Sequence, residues 1–152
     1  MPEIPLEKLR TLRADMLASV RNESKTDYIH ALVIARAFLP ADVFNHSVRV
    51  AEMGDVNDRA VGVLHDLLED SGAGFDTMLA MGISFHVARD VLTVTRRGDE
   101  TYFDYIRRVR DYGSSRAQRV KVSDLNDHFQ QAGTLTASLF KRYTKAMEIL
   151  GP

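Results

Sequence analysis

The stretch Ala60-Val-Gly-Val-Leu-His-Asp-Leu-Leu-Glu-Asp70 constrains the chain more than any other. At about 100° per residue, Ala60, Val61, Leu64, Leu67 and Leu68 share one side of a helix. His65, Asp66, Glu69 and Asp70 fall on the other, over about 140° of arc. A solvated helix face mixes opposite charges at i,i+4 spacing, yet this one holds no Lys or Arg. Three carboxylates and an imidazole crowded on two turns repel one another unless a cation sits among them, and a divalent metal supplies one. Gly62 costs helix stability relative to Ala. In return it leaves room for a ligand or another backbone to come close.

The same helical period recurs along the chain. Apolar residues at Leu6, Leu9, Leu12, Met16, Leu17 and Val20 predict a first helix. Ser24 is placed to cap a second over Asp27–Phe38, and Pro40 to open a third that runs through Met53 and stops at Gly54. Asn57 or Asp58 caps the central helix, and Ser71–Gly74 ends it. Further helices are predicted over Asp76–Ala80, over Phe85–Val94 behind Ser84, and over Tyr102–Tyr112 behind Thr101. Two more follow over Arg116–Phe129 and Thr134–Leu150. No stretch alternates like a strand, and no linker divides the chain. The expectation is an all-α, compact bundle of eight or nine helices, one domain over residues 1–152, with the motif-bearing core at about 40–130.

Composition narrows the function classes. With 20 basic and 21 acidic residues the net charge is −1, so no basic field points to nucleic acid or to an anionic membrane. The absence of Cys excludes disulfides and thiolate zinc sites and fits a reducing compartment. No apolar run approaches the roughly 20 residues needed to span a bilayer, and the N-terminus lacks the regions of a signal peptide. A cytoplasmic protein is expected.

Four groups on one helix cannot surround an ion, so a metal needs ligands from elsewhere. His46 lies 19 residues before His65, where a helical hairpin can bring the two side by side. Asp124 lies 58 residues after Asp66, where a later antiparallel helix can cross them. Two imidazoles and two carboxylates suit manganese, iron, zinc or cobalt better than calcium.

The order His46, His65-Asp66, Asp124 resembles the HD-domain metal-dependent phosphohydrolase superfamily. His46–Ala51, Leu64–Ser71, Val91–Arg96, Tyr102–Ile106 and Val120–Asp124 further resemble the hydrolase domain of RelA/SpoT-type alarmone (guanosine polyphosphate) enzymes, over about residues 44–128. The resemblance implies that His46, His65, Asp66 and Asp124 hold one manganese-like ion. It implies that Glu69 and Asp70 orient and deprotonate the attacking water, and that a 3′-pyrophosphate is removed from guanosine-3′,5′-bis(diphosphate). Lys121 is placed near substrate phosphate or the floor of the site, the alternative being a structural ion pair. Arg96 is a phosphate contact or part of a solvated loop. Asn126 and His128 stand near where the family carries an Asn. His128 is a core histidine, a substrate contact or a partner behind the ligands. His30 and His86 read as packed or surface side chains.

Departures from the family concern the nucleotide. The stretch Arg36–Asn45 is short and nearly uncharged where the alarmone hydrolases carry a basic loop, and the His46–His65 spacing is tight. Competing expectations are therefore an HD-type nucleotidase or deoxynucleotide phosphohydrolase with the same centre, and a nucleotide-binding sensor without turnover. In each the partner is a nucleotide or another phosphorylated small molecule.

Overall fold

The computed structural model describes residues 5–8, 10–11 and 25–152. Among them it is all-helical, with no strand. The helices are α1 (Lys25–Phe38), α2 (Ala41–Met53), α3 (Arg59–Leu64), α4 (Leu67–Asp70), α5 (Phe75–Ala80), α6 (Phe85–Thr93), α7 (Tyr102–Tyr112), α8 (Ser115–Gln130) and α9 (Ala137–Leu150). The helix expected over Leu6–Val20 falls largely, and its successor's Ser24 cap wholly, outside the described residues.

Local chemistry starts and stops these helices. The hydroxyls of Ser84, Thr101, Ser114 and Thr136 accept the N–H of Val87, Asp104, Ala117 and Leu139. Each satisfies one orphan donor of a first turn, an effect typically of about 1 kcal/mol. The Thr136 bond moves the start of α9 later than the predicted Thr134, because the backbone of residues 131–134 closes a turn instead (Thr134 N–H to Gln131 O, 3.1 Å). Asp58 stands at the N-cap of α3 as predicted, but its side chain makes no cap bond. Both of its oxygens take Arg119 of α8, at 2.8 Å each. An ion pair with a residue distant in sequence wins over the local cap.

The central helix departs most from expectation. The continuous run predicted over Ala60–Asp70 breaks into α3 and α4, with His65 and Asp66 as the turn between. In an unbroken helix the Gly62 carbonyl accepts the N–H of Asp66. Here the His65 ring takes that carbonyl, with Nδ1 at 2.6 Å, and the His65 N–H approaches it at 3.5 Å. Asp66 relaxes to φ −97°, ψ 0°, the bridge region common in turns and active sites.

Two apolar cores flank this turn. The first gathers α1 to α6 around the wholly buried residues Ala60–Leu64 of α3. The second joins Tyr105, Ile106 and Val109 of α7 to Leu125 of α8 and Ala146 of α9. The stripe Tyr102, Phe103, Ile106, Val109 thus reaches the core through Ile106 and Val109. Helix α8 belongs to both cores, through Val120 and Leu125. Leu135 and Leu139 are half-buried, and Tyr143 and Met147 pack on the second core.

Gly62 lets α2 and α3 touch backbone to backbone. A Cβ built there stands 2.8 Å from Ala51 Cα and 3.1 Å from Ala51 N. Of the two uses foreseen for this glycine, the structure shows the close approach of another backbone. Gly62→Ala gains at most about 1 kcal/mol in helix propensity but overpacks two helix backbones, which costs about 1–3 kcal/mol. The variant is expected to lose about 1–2 kcal/mol net, read from the urea midpoint.

Candidate metal centre

Two imidazoles face each other where α2 meets the His65–Asp66 turn. His46 Nδ1 donates to Asp127 Oδ2 at 2.6 Å, and His65 Nδ1 donates to Gly62 O at 2.6 Å. A carboxylate and a carbonyl only accept, so both ring protons are assigned to Nδ1 in the neutral rings. The two Nε2 atoms lie 3.2 Å apart and present lone pairs to each other. The same histidines would repel in this pose unless a proton or a metal ion lay between them.

Two carboxylates complete the cluster. Asp66 Oδ2 lies 3.2 Å from His65 Nε2 and 3.5 Å from His46 Nε2. Asp124 Oδ1, from α8, lies 3.0 Å from His46 Nε2 and 3.2 Å from His65 Nε2. Four donors each about 2.1 Å from a common centre stand about 3.0–3.4 Å apart for angles of 90–109°. The separations of each carboxylate from the two imidazole nitrogens, and of the nitrogens from each other, are close to that spacing. The donor set suits a first-row divalent ion, and two nitrogens among the donors disfavour calcium. The break at His65 is what makes neighbouring residues converge, since successive side chains on a helix diverge by about 100°.

Charge within the cluster follows the same geometry. Burial opposes a charged His65, but Asp66 and Asp124 outweigh it and hold its pKa well above the usual value. Burial likewise opposes ionised Asp124, but the Lys121 ammonium and His65 hold its carboxyl well below the usual range. The cluster thus keeps protons at the positions an ion would take, so a metal and protons would compete there.

Lys121 is buried, and its Nζ donates to Asp124 Oδ2 at 2.6 Å. The ammonium also lies 5.1 Å from the Tyr105 ring centre. It forms the ion pair foreseen as the alternative to a phosphate contact, and it leaves Asp124 only Oδ1 to turn toward the imidazoles.

Beside the cluster opens a cavity of about 210 Å³ lined by Asp66, Glu69, Arg96, Lys121, Arg142 and Tyr143, among others. Glu69 Oε1 accepts the backbone N–H of Arg96 at 2.8 Å. Partial desolvation, and then Asp66, push the Glu69 pKa up against that hydrogen bond. Glu69 and Asp70 are both exposed, and only Glu69 lines the cavity. Arg96 reaches the cavity, with its Nε on Glu100 O at 3.2 Å. Asn126 is exposed, about 200° around α8 from Asp124, and stands outside the lining. His128, on the same face as Asp124, places Nε2 3.2 Å from Asp124 Oδ1 and stacks on Tyr143. Tyr105 lines the cavity while its hydroxyl donates to Val94 O. His86 is exposed and His30 half-buried. A larger cavity, about 700 Å³, lies elsewhere. One of its acids, Asp90, is taken by Arg116 at 2.7 Å and by Ser114 at 2.9 Å.

Sequence reasoning missed Asp127, Arg142 and Tyr143. Asp127 is fully buried, accepts His46 Nδ1–H, and is gripped by Arg49 at 2.8 and 3.1 Å. The signal was a matched i,i+3 spacing: Arg49 follows His46 as Asp127 follows Asp124. Such a partner behind a ligand fixes the tautomer and orientation of the ring. Asp127→Asn is expected to raise the manganese Kd about tenfold, measured by titration calorimetry.

Among the described residues no helix is long and apolar enough to cross a membrane. A scan of protein-family models finds none that matches the chain, and a search of curated proteins finds no similar one.

Proposed function

We propose that the chain is a metal-dependent phosphohydrolase of HD type acting on a nucleotide, with removal of the 3′-pyrophosphate from guanosine tetraphosphate as the specific reaction. One observation carries the reading. Two imidazoles from α2 and the His65–Asp66 turn face each other with Asp66 and Asp124 each 3.0–3.5 Å from both, and beside them Glu69 lines a cavity with three cationic side chains. The choice of guanosine tetraphosphate and of manganese rests on the motif resemblance.

His46, His65, Asp66 and Asp124 would hold the ion. When bound, such an ion polarises a phosphoryl oxygen and lowers the pKa of water toward neutrality. Glu69 receives the proton of the attacking water. Its Oε1 is occupied by the Arg96 N–H, which fixes the carboxylate and leaves Oε2 to accept. Lys121 keeps Asp124 ionised and oriented through the 2.6 Å bond. Arg96 and Arg142 line the cavity and offset phosphate charge by charge-assisted hydrogen bonds. Of the two acids foreseen as base, Glu69 lines the cavity, which supports it as the one that takes the proton.

Cavity size favours a second reading, a nucleotidase for a smaller phosphoester. At about 210 Å³ the cavity falls below the roughly 300–1,000 Å³ typical of pockets that enclose a whole drug-sized ligand. It accommodates a phosphoryl group and its immediate surroundings. A nucleotide panel separates the readings: guanosine tetraphosphate, deoxynucleoside triphosphates, monophosphates and cyclic nucleotides, each with chelator-treated protein and with added manganese. Manganese-dependent pyrophosphate release from the tetraphosphate is the expected result. Release from the smaller or deoxy substrates alone supports the second reading. Tight nucleotide binding without product, in protein that holds manganese, overturns both in favour of a sensor.

A further inference from the structure

Three imidazoles converge on one carboxylate oxygen. Asp124 Oδ1 lies 3.0 Å from His46 Nε2, 3.2 Å from His65 Nε2 and 3.2 Å from His128 Nε2. His46, Asp124 and His128 form a second three-residue group with metal-donor spacing, sharing His46 with the group His46, His65, Asp66. We infer that His128 is a fifth protein donor to the ion of the proposed centre, a conclusion that rests on the metal-dependent reading above.

Three features support one ion with five donors rather than a second ion. A second cation beside the first is most readily held by a carboxylate that bridges through both of its oxygens, and Asp124 turns only Oδ1 to the imidazoles. Lys121 Nζ already holds the other oxygen at 2.6 Å, and a buried ammonium excludes a further cation there. His46 cannot bridge either, because its Nδ1 is committed to Asp127. His128 itself is preset for the role. It lies one turn from Asp124 on the same face of α8, and its ring is stacked on Tyr143 at 5.0 Å and close to the His46 ring at 4.8 Å. The stack holds the ring where Nε2 meets the cluster. A fifth donor would hold the ion more tightly. It also adds a third nitrogen, which strengthens the preference for manganese, iron, cobalt or zinc over magnesium and calcium.

The test uses the full chain loaded with manganese alone, its histidines labelled with nitrogen-15, and counts coupled imidazole nitrogens by pulsed electron paramagnetic resonance. Three are expected in the wild type and two in His128→Gln, with a rise in the manganese Kd of at least about tenfold. Two in the wild type overturns the inference and leaves His128 as a hydrogen-bond donor to Asp124. That count needs no variant, so a folding defect in His128→Gln cannot obscure it. No coupled nitrogen in the wild type overturns the metal centre itself, and the inference with it.

Discussion

Asp66→Ala is expected to lower manganese-dependent phosphate release by about a thousandfold while the far-ultraviolet dichroism stays that of the wild type. Asp66 faces both imidazoles, at 3.2 and 3.5 Å. Its removal takes away one of the converging donors and a negative charge that attracts a cation. An ion that polarises a phosphoryl oxygen contributes several kcal/mol at the transition state, and each 1.36 kcal/mol is a factor of ten. Loss of the ion therefore costs about three powers of ten. The fold survives because Asp66 sits in a turn, partly exposed, while its neighbour Leu67 carries the core contact. A rate within tenfold of wild type, in protein whose metal content is measured, would sink the proposed centre.

Glu69→Gln is expected to lower kcat by at least about a hundredfold, the effect of losing a positioned general base, and to leave manganese content unchanged. A base works in its ionised form, so activity falls as pH falls through its pKa. Partial desolvation raises that pKa in the metal-free protein and a bound cation would lower it, so the rate profile is expected to carry an acid limb set by Glu69. In Gln that limb disappears, read as kcat/KM against pH at saturating manganese. Asp70→Asn keeps both limb and rate, because Asp70 stands outside the cavity. The stability sign runs the other way. A carboxyl whose folded pKa is raised contributes stability below its unfolded pKa and loses it as pH rises through the folded one. Ionised Glu69 is thus a stability cost at neutral pH, one that Glu69→Gln relieves.

Much of this fold was legible because helix ends are local events. Ser84 and Thr101 cap the helices they were expected to cap, and Gly54 and Pro40 bound α2. The meeting of His46, His65, Asp66 and Asp124 was legible from the ordered motif, not from any one residue. The break at His65 was not. A helical wheel presumes that each carbonyl serves the fourth amide along, and it cannot see an imidazole capture the Gly62 carbonyl. Asp127 was hidden for a similar reason. Beside Asn126 it reads as one more surface acid, and only the crossing of α2 over α8 gives it Arg49 and His46. Asn126 stands near where the resembled family carries an Asn, whereas the phase of α8 turns it outward. Asp58 gave up its cap to Arg119, a partner from another helix.

The place of Asp124 between the two cores has a mechanical consequence. Val120 anchors α8 in one core and Leu125 in the other, with Asp124 beside the second anchor. On one side of the cavity stand Asp66 and Glu69, next to Leu67 of the first core. On the other stand Tyr105 of the second core, and Arg142 and Tyr143 on α9. A substrate bound there would work as a bolt across a seam, its affinity registering how firmly the halves press together. Loosening α9 at the distant Ala146, fully buried in the second core, would slacken the grip on a phosphate that Ala146 never touches.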